Sequence, residues 1–378
     1  MHTVVLCRSV SKNSSKVSSL VTHALPHIQA HSGYVPGEQP LCRQKVIKLN
    51  TNENPYPPSP NVVAAINDEI SKLRLYPNPT SFPFREAIAE LHDLEPNQVL
   101  VGNGSDDILN LCARCFADHD HPIGITVPSY SLYSVLASLQ HAPLVEVPFE
   151  EGFALDISSV VSCGANLFYF TTPNAPSGMV FSNDFLSSFH DGFSGILVAD
   201  EAYADFAPHN AVGLLSDCPR MIITRTLSKS YGLAGIRVGY ALGNPELIEV
   251  LNKAREVYNV DRLAQAAAIA SIQDQTYFRE TTGKIKSTRN GMLDDFHSLK
   301  WKTYESGGNF LFTEPRTISG EFGLEVAKDL FEHLKQNGIL VRHFPNHPLT
   351  SSFLRISIGI EDEMIMLKET LSKWKTDG

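Results

Sequence analysis

The stretch Thr226-Leu-Ser-Lys-Ser-Tyr-Gly-Leu-Ala-Gly-Ile-Arg-Val-Gly-Tyr240 directly follows an apolar run, Met221–Thr224, that reads as a buried strand. A lysine set among Ser, Thr and Gly at a strand end is poorly placed for an ordinary solvated surface residue. Lys229 instead reads as an amine poised for a Schiff base, which requires partial desolvation so that the nitrogen can react unprotonated. Arg237 lies eight residues further on, and Gly232, Gly235 and Gly239 allow close backbone approach. A fixed cation beside hydroxyls and tight backbone suits a phosphate group. Taken by itself, such a Ser-Lys-Ser segment can equally be a plain turn.

Working outward, short apolar runs alternate with longer amphipathic stretches between Pro96 and Leu242. The runs are Gln98–Val101, Ile123–Val127, Leu144–Pro148, Leu167–Thr171, Ile196–Ala199, Met221–Thr224 and Val238–Leu242. This pattern predicts βα units and a mostly parallel sheet buried on both faces. Active sites of such sheets lie beyond the carboxyl ends of the strands. There the sequence places Gly102-Asn-Gly-Ser-Asp-Asp107, Thr172-Pro-Asn-Ala-Pro-Ser-Gly178 and Asp200-Glu-Ala-Tyr203. The first can offer free helix N–H groups to an anion, or simply be an N-cap by Ser105 or Asp106. The second fits a loop with or without a function. The third can bring a carboxylate and a phenol to one site, or cap a helix.

After Asn244 the pattern changes. Pro245–Tyr258 and Asp261–Phe278 read as helices, with helical character continuing to Leu299. A strand Asn309–Thr313, a helix Leu324–Asn337, strands Ile339–His343 and Phe353–Ser357, and a helix from Glu361 follow, as a second α+β unit. The Pro-rich segments Asn54–Pro60 and Tyr76–Pro83 read as irregular connections. The expected division is residues 1–50 as an N-terminal arm and part of the small domain, 51–260 as the large domain and 261–378 as the small domain.

A chain of 378 residues accommodates two domains. Hydrophobic residues at 43 % and charged ones at 19 % are ordinary for a globular protein. The formal net charge of -10 argues against a nucleic-acid partner, which calls for clustered Lys and Arg. Six cysteines, at 7, 42, 112, 115, 163 and 218, make no disulfide framework and indicate a reducing compartment. Cys112 and Cys115 form one CxxC inside an apolar helical run, without a second pair or a nearby His, so no metal site is expected. No apolar stretch is long enough to span a bilayer. The first 37 residues lack acids and are rich in Ser. They read as a poorly ordered arm of a cytoplasmic protein, with an organelle transit peptide as the alternative.

The ordered set Gly-Asn-Gly-Ser-Asp, Pro-Asn-Ala-Pro-Ser-Gly, Asp-Glu-Ala-Tyr, Ser-Lys and Leu-Arg-Ile resembles the fold-type I pyridoxal-phosphate (PLP) aminotransferases, across Tyr34 to Gly359. Tyr34-Val-Pro-Gly-Glu-Gln-Pro40, Lys48-Leu-Asn-Thr-Asn-Glu-Asn-Pro-Tyr56, and Val341-Arg342 followed by Arg355 make it most similar to the histidinol-phosphate aminotransferase subgroup. The resemblance implies an aspartate-aminotransferase-like α/β fold: a large PLP-binding domain with a mostly parallel sheet flanked by helices, plus a smaller α+β domain. It implies PLP on Lys229, Asp200 paired with the pyridine nitrogen, Tyr203 bonded to the ring oxygen and Tyr130 stacked on the ring. Gly104, Ser105, Asp106, Thr226, Ser228 and Arg237 would hold the cofactor phosphate, joined by Tyr76 of a neighbouring subunit, so the enzyme would be a homodimer with shared active sites. Arg355 would bind a substrate α-carboxylate, Arg342 and Tyr34 a substrate phosphate, and Asn54 would join the substrate site.

Two positions depart from the family pattern. Ala175 stands where an asparagine usually contacts the ring oxygen, leaving Asn174 one residue early; either Asn174 shifts to bind the cofactor, or Tyr203 does the work alone. Pro57 replaces a usual glycine. The implied reaction moves an amino group between histidinol phosphate and 2-oxoglutarate, in histidine biosynthesis. An aminotransferase of the same subgroup acting on aromatic or other amino acids is a second reading. A lyase similar to threonine-phosphate decarboxylase is a third, and a non-catalytic PLP-binding protein a fourth, against which the intact Lys229, Asp200 and Arg237 argue.

Overall fold

The computed structural model describes residues 23–31, 33–34, 37–40 and 46–376, with side chains through residue 374. The expectations for the first 22 residues, and for Cys7 and Cys42, lie outside the described residues. Thirteen strands are present among those described. They are β1 (Ile47–Lys48), β2 (Val99–Gly102), β3 (Ile123–Val127), β4 (Leu144–Pro148), β5 (Leu167–Thr171), β6 (Ile196–Asp200), β7 (Met221–Thr226), β8 (Gly239–Gly243), β9 (Lys302–Thr303), β10 (Phe310–Glu314), β11 (Ile339–Leu340), β12 (Arg342–His343) and β13 (Leu354–Ser357).

Seven strands form the large sheet in the order β2-β8-β7-β6-β5-β3-β4. The run β7-β6-β5-β3-β4 is parallel throughout, whereas β8 is antiparallel to both its neighbours. The chain passes directly from the lysine turn into β8, with no crossover helix, so β8 must run backwards. Alternation along the strands splits the apolar residues between two cores. Tyr169, Val198 and Ile222 face the helices Ser105–Phe116, Leu132–Gln140 and Pro245–Ala254. Phe168, Phe170, Ala199 and Ile223 face the helices Phe82–His92, Asn183–Gly192 and Arg262–Gln273. Burial on both faces explains why these strands read as near-continuous apolar runs.

The second unit is a four-stranded antiparallel sheet, β12-β13-β10-β9, with its own core under the helices Gln275–Ser298, Leu324–Gln336 and Glu361–Thr376. The strand expected over Ile339–His343 is two short strands serving two sheets, since β11 pairs with β1 and β12 with β13. The helix expected over Asp261–Phe278 is also broken. It stops at Gln273, and Asp274 caps the next helix by accepting the Tyr277 N–H at 3.1 Å. The helix Arg262–Gln273, on the far side of a boundary drawn at residue 260, packs Ala264, Ala267, Ala268 and Ile272 into the large-sheet core. The helix after Asn244 ends at Ala254 rather than Tyr258.

Within the large sheet, β2, β3, β5, β6 and β7 all run the same way. Their carboxyl ends, and the start of β8, therefore meet along one edge of the sheet, where Gly102, Gly239 and Thr226 stand side by side. No helix among the described residues is long and apolar enough to cross a membrane. Cys112 is buried in the core, where burial pushes its thiol above the ordinary range; Cys115 is half-buried.

Candidate active site

Lys229 sits in the turn after β7. Its Nζ donates to the Thr51 carbonyl at 3.1 Å and lies 5.7 Å from the centre of the Tyr203 ring. Both residues line a cleft of about 710 Å³ between the two units, together with Tyr34, Asn50, Ser129, Tyr130, Arg342 and Arg355. Among the described residues no acidic side chain lines it, so its charged lining consists of one lysine and two arginines. Such a cleft selects anions.

Arg355, on β13, donates through Nη2 to the Asn50 carbonyl at 3.1 Å, and its Nε has no partner. Its guanidinium packs 5.4 Å from the Phe310 ring centre and 5.3 Å from that of Phe344. Burial presses its pKa below the usual arginine value. Arg342 shares Phe344, at 5.5 Å. The backbone of β12 and β13 pairs these two arginines directly, which places both cations at one end of the cleft.

Asp200 ends β6 and is buried, 3 % exposed. Its Oδ2 accepts from Tyr133 Oη at 2.6 Å, and its Oδ1 accepts from Thr224 Oγ1 at 3.1 Å and from the Ala202 N–H at 3.3 Å. Burial pushes its carboxyl up to about 6, against the opposing pull of these donors. Among the described residues it has no cationic partner. A buried carboxylate without a counter-charge is costly unless a cation joins it.

Near it Arg237, Asp106, Ser228 and Thr226 form a cradle of hydrogen-bonding groups. The helix Ser105–Phe116 opens with Ser105 and Asp106 and carries free N–H groups there. Arg237 reaches Asp106 Oδ2 at 3.2 Å and Ser228 Oγ at 3.3 Å. Thr226 Oγ1 accepts the Ser228 N–H at 3.1 Å. Tyr130 links cradle and cleft, since it lines the cleft and its hydroxyl donates to Asp106 Oδ1 at 3.2 Å. Gly104 has φ +84° and ψ 164°, a region open essentially to glycine alone. A Cβ there would fall 2.5 Å from Arg237 Nη2. Gly104→Ala is expected to destabilise the protein by about 1–3 kcal/mol through this strain and to displace Arg237. Denaturant titration checks it, and an unchanged midpoint would contradict the cradle geometry.

Asn174 is fully buried. Its Oδ1 accepts from Ser177 Oγ at 2.7 Å, while its Nδ2 has no partner. Ala175, next to it, lines the cleft. Asn174 itself does not line the cleft; a protonated ring nitrogen would neutralise Asp200, and an anionic tail would suit the cradle.

Two expected residues lie elsewhere. Asn54 does not line the cleft; it donates to the Ser230 carbonyl at 2.9 Å, and its Oδ1 accepts the Tyr56 N–H at 2.9 Å. It braces the lysine turn from behind. Tyr76 is 76 % exposed, stacks on Tyr258 with ring centres 4.5 Å apart, and does not reach the cleft of its own chain.

Conversely, the residues read from sequence omitted Asn52 and Tyr133. Asn52 is buried at φ +55°, donates to Tyr203 Oη at 3.0 Å and exchanges hydrogen bonds with Ser357. The run Asn50-Thr-Asn-Glu-Asn54 was its signal, since asparagine tolerates the left-handed conformation. For Tyr133 no local signal existed, because its partner is 67 residues away.

A family model for aminotransferase class I and II matches residues 44–367. The chain belongs to this family. It is thus an aminotransferase. It is 43 % identical over 339 residues to histidinol-phosphate aminotransferase of Syntrophotalea carbinolica, covering 89 % of this chain and 95 % of that relative. The corresponding enzyme of Geotalea daltonii is 44 % identical over 334 residues, covering 88 % and 94 %. Among solved structures, histidinol-phosphate aminotransferase of Sinorhizobium meliloti, in complex with pyridoxal-5'-phosphate, superposes with a TM-score of 0.85. It is 27 % identical and the match covers 97 % of this chain and all of that one. Aspartate aminotransferase of Thermus thermophilus, 19 % identical with a TM-score of 0.73 over 88 % of this chain and 91 % of its own, shares the fold.

Proposed function

We propose that this aminotransferase works with pyridoxal 5'-phosphate on Lys229 and transfers an amino group from histidinol phosphate to 2-oxoglutarate. The observation that carries the reading is one cleft holding Lys229, Arg342 and Arg355, with no acidic side chain in its lining among the described residues. Histidinol phosphate bears one anionic group, the phosphate ester, and glutamate bears two carboxylates. Two adjacent arginines serve both in turn.

When bound, the cofactor holds the amino group and accepts the electrons of the substrate Cα–H bond. Asp200 would pair with the ring nitrogen, its buried carboxylate keeping a proton there. Tyr203, fixed by Asn52, would donate to the ring oxygen. Lys229 Nζ would hold the cofactor and, as a base, would move the proton between the substrate Cα and the cofactor carbon. Ser105, Asp106, Thr226, Ser228 and Arg237 anchor the phosphate through backbone N–H groups, hydroxyls and the guanidinium. Tyr130 covers the ring. Arg355 grips the α-carboxylate of glutamate, and Arg342 with Tyr34 the phosphate of the donor. The enzyme acts as a homodimer, with Tyr76 reaching the partner's cofactor phosphate; its exposed ring and those of Tyr258 and Phe82 suit burial between subunits.

The test is the visible absorbance of the purified protein. L-histidinol phosphate should bleach the cofactor band and 2-oxoglutarate should restore it. A band that ignores histidinol phosphate but responds to phenylalanine or tyrosine moves the enzyme to the aromatic class, and release of CO2 makes it a lyase. Arg355→Gln should lower kcat/KM for glutamate by about two to three orders of magnitude, as two charge-assisted hydrogen bonds are lost. Steady-state kinetics checks this; a loss under threefold removes Arg355 from the carboxylate site.

A further inference from the structure

The hydroxyls behind Asp200 form a chain whose direction is settled by counting protons. Tyr133 is fully buried, and its hydroxyl lies 2.6 Å from Asp200 Oδ2 and 2.6 Å from Thr171 Oγ1. A phenol has one proton, and the carboxylate, an acceptor only, claims it. Thr171, 2 % exposed at the end of β5, must therefore donate to Tyr133. Its own single proton is then spent, so Ser129, 3.1 Å away, must donate to Thr171. Ser129 lines the cleft. With its proton directed inward, it turns only lone pairs to the cleft.

We propose that Ser129, Thr171 and Tyr133 form a one-way hydroxyl relay that holds Asp200 ionised and makes Ser129 an obligate hydrogen-bond acceptor at the cleft wall. Tyr133 and Thr171 are positioning residues, acting through Asp200. Tyr133 is the donor to Oδ2, whereas Oδ1 has two donors of its own in Thr224 and Ala202. The Tyr133 ring is held by stacking on Tyr169, centres 4.8 Å apart, and by an edge contact with Tyr130 at 5.6 Å. The hydroxyl therefore cannot swing away from the carboxylate. The short Tyr133–Asp200 and Thr171–Tyr133 distances are those of hydrogen bonds strengthened by a charge at the end of the chain. The titratable groups around Asp200 are Tyr130 and Tyr133 from one helix and its approach, Tyr169 from β5, Asp106 from the helix Ser105–Phe116, and its neighbour Glu201. Asp106 and Glu201 oppose ionisation of Asp200, and the tyrosines are held neutral by burial, which leaves the relay and the Oδ1 donors as what favours it.

For Asp200 the inference rests on its role in the proposed reaction, but the relay is testable without the cofactor. The full-length protein, freed of cofactor, is titrated while the carboxyl C=O infrared band is followed, with Asp200→Asn subtracted to assign it. Tyr133→Phe keeps the ring stack and deletes only the hydroxyl; the Asp200 midpoint should rise by about one to two pH units. Thr171→Val should raise it less, and Thr171→Ser should restore the unsubstituted value. An unchanged midpoint in Tyr133→Phe, or equal midpoints for Thr171→Val and Thr171→Ser, overturns the relay. Should Tyr133→Phe fail to fold by circular dichroism, the Thr171 pair decides alone. The visible band of the unsubstituted protein with PLP is recorded in parallel. A midpoint that moves as stated without any such band keeps the relay and rejects the cofactor reading; the reverse pattern does the opposite.

Discussion

Lys229→Ala is expected to lower kcat by at least about four orders of magnitude and to abolish the visible band of the cofactor–lysine adduct. The size follows from two roles lost together, the covalent anchor and the base at Cα, since groups that act as a unit cost nearly the whole effect when one is removed. The environment of the amine makes no other residue a substitute. Nζ bonds the Thr51 carbonyl and faces the Tyr203 ring, and the other basic side chains of the cleft, Arg342 and Arg355, are guanidinium groups that cannot form the adduct. The fold should survive, because Lys229 is outside all three large cores. The cradle is untouched, so the variant should still retain the cofactor without the covalent bond, and a small primary amine should restore part of the rate. Activity within tenfold of the original enzyme would place the chemistry on another residue.

Asp200→Asn should separate stability from activity. Catalysis should fall about a thousandfold, since a preorganised charge at the reacting ring becomes a neutral amide of the same shape. The cofactor-free protein should become more stable. Burial raises the Asp200 carboxyl from 3.8 to about 6, so between those values the folded state binds more protons than the unfolded chain. Its stability therefore falls as pH rises through that window, and above it the ionised group costs up to about 3 kcal/mol. The neutral amide of the variant escapes that cost. Thermal melts of the cofactor-free proteins should coincide below pH 3.8, diverge as pH rises and stay apart above about 6. Melts that separate in the opposite direction would mean that Asp200 is already paired with a cation in the free protein. An unpaired buried carboxylate at a ligand site is the usual exchange of stability for function.

Much of this was legible in the linear chain, and the particular residues show why. β3 and β5 match their apolar runs end for end, because a strand buried on both faces must be apolar at successive positions and must stop at turn residues. Asp200 and Lys229 stand one step beyond or in the turn after such runs, where a parallel sheet exposes its chemistry. Those features are local: they depend on neighbours a few residues away, and sequence order carries them.

The rest depends on contacts between distant residues, which composition and periodicity do not encode. Only the tertiary structure runs β8 backwards, folds Asn54 onto the back of the lysine turn and brings Asn52 to Tyr203 across 151 residues. It packs the helix Arg262–Gln273 into the large-sheet core and divides Ile339–His343 between two sheets. Tyr133 looks in sequence like one more apolar position on a helix, and its burial agrees. Its meaning comes from where its hydroxyl ends, 2.6 Å from Asp200, and that is decided by how the first turn of the helix Leu132–Gln140 meets the carboxyl ends of β5 and β6. A buried polar group must find a partner wherever packing supplies one, so the identity of that partner belongs to the fold and not to the chain.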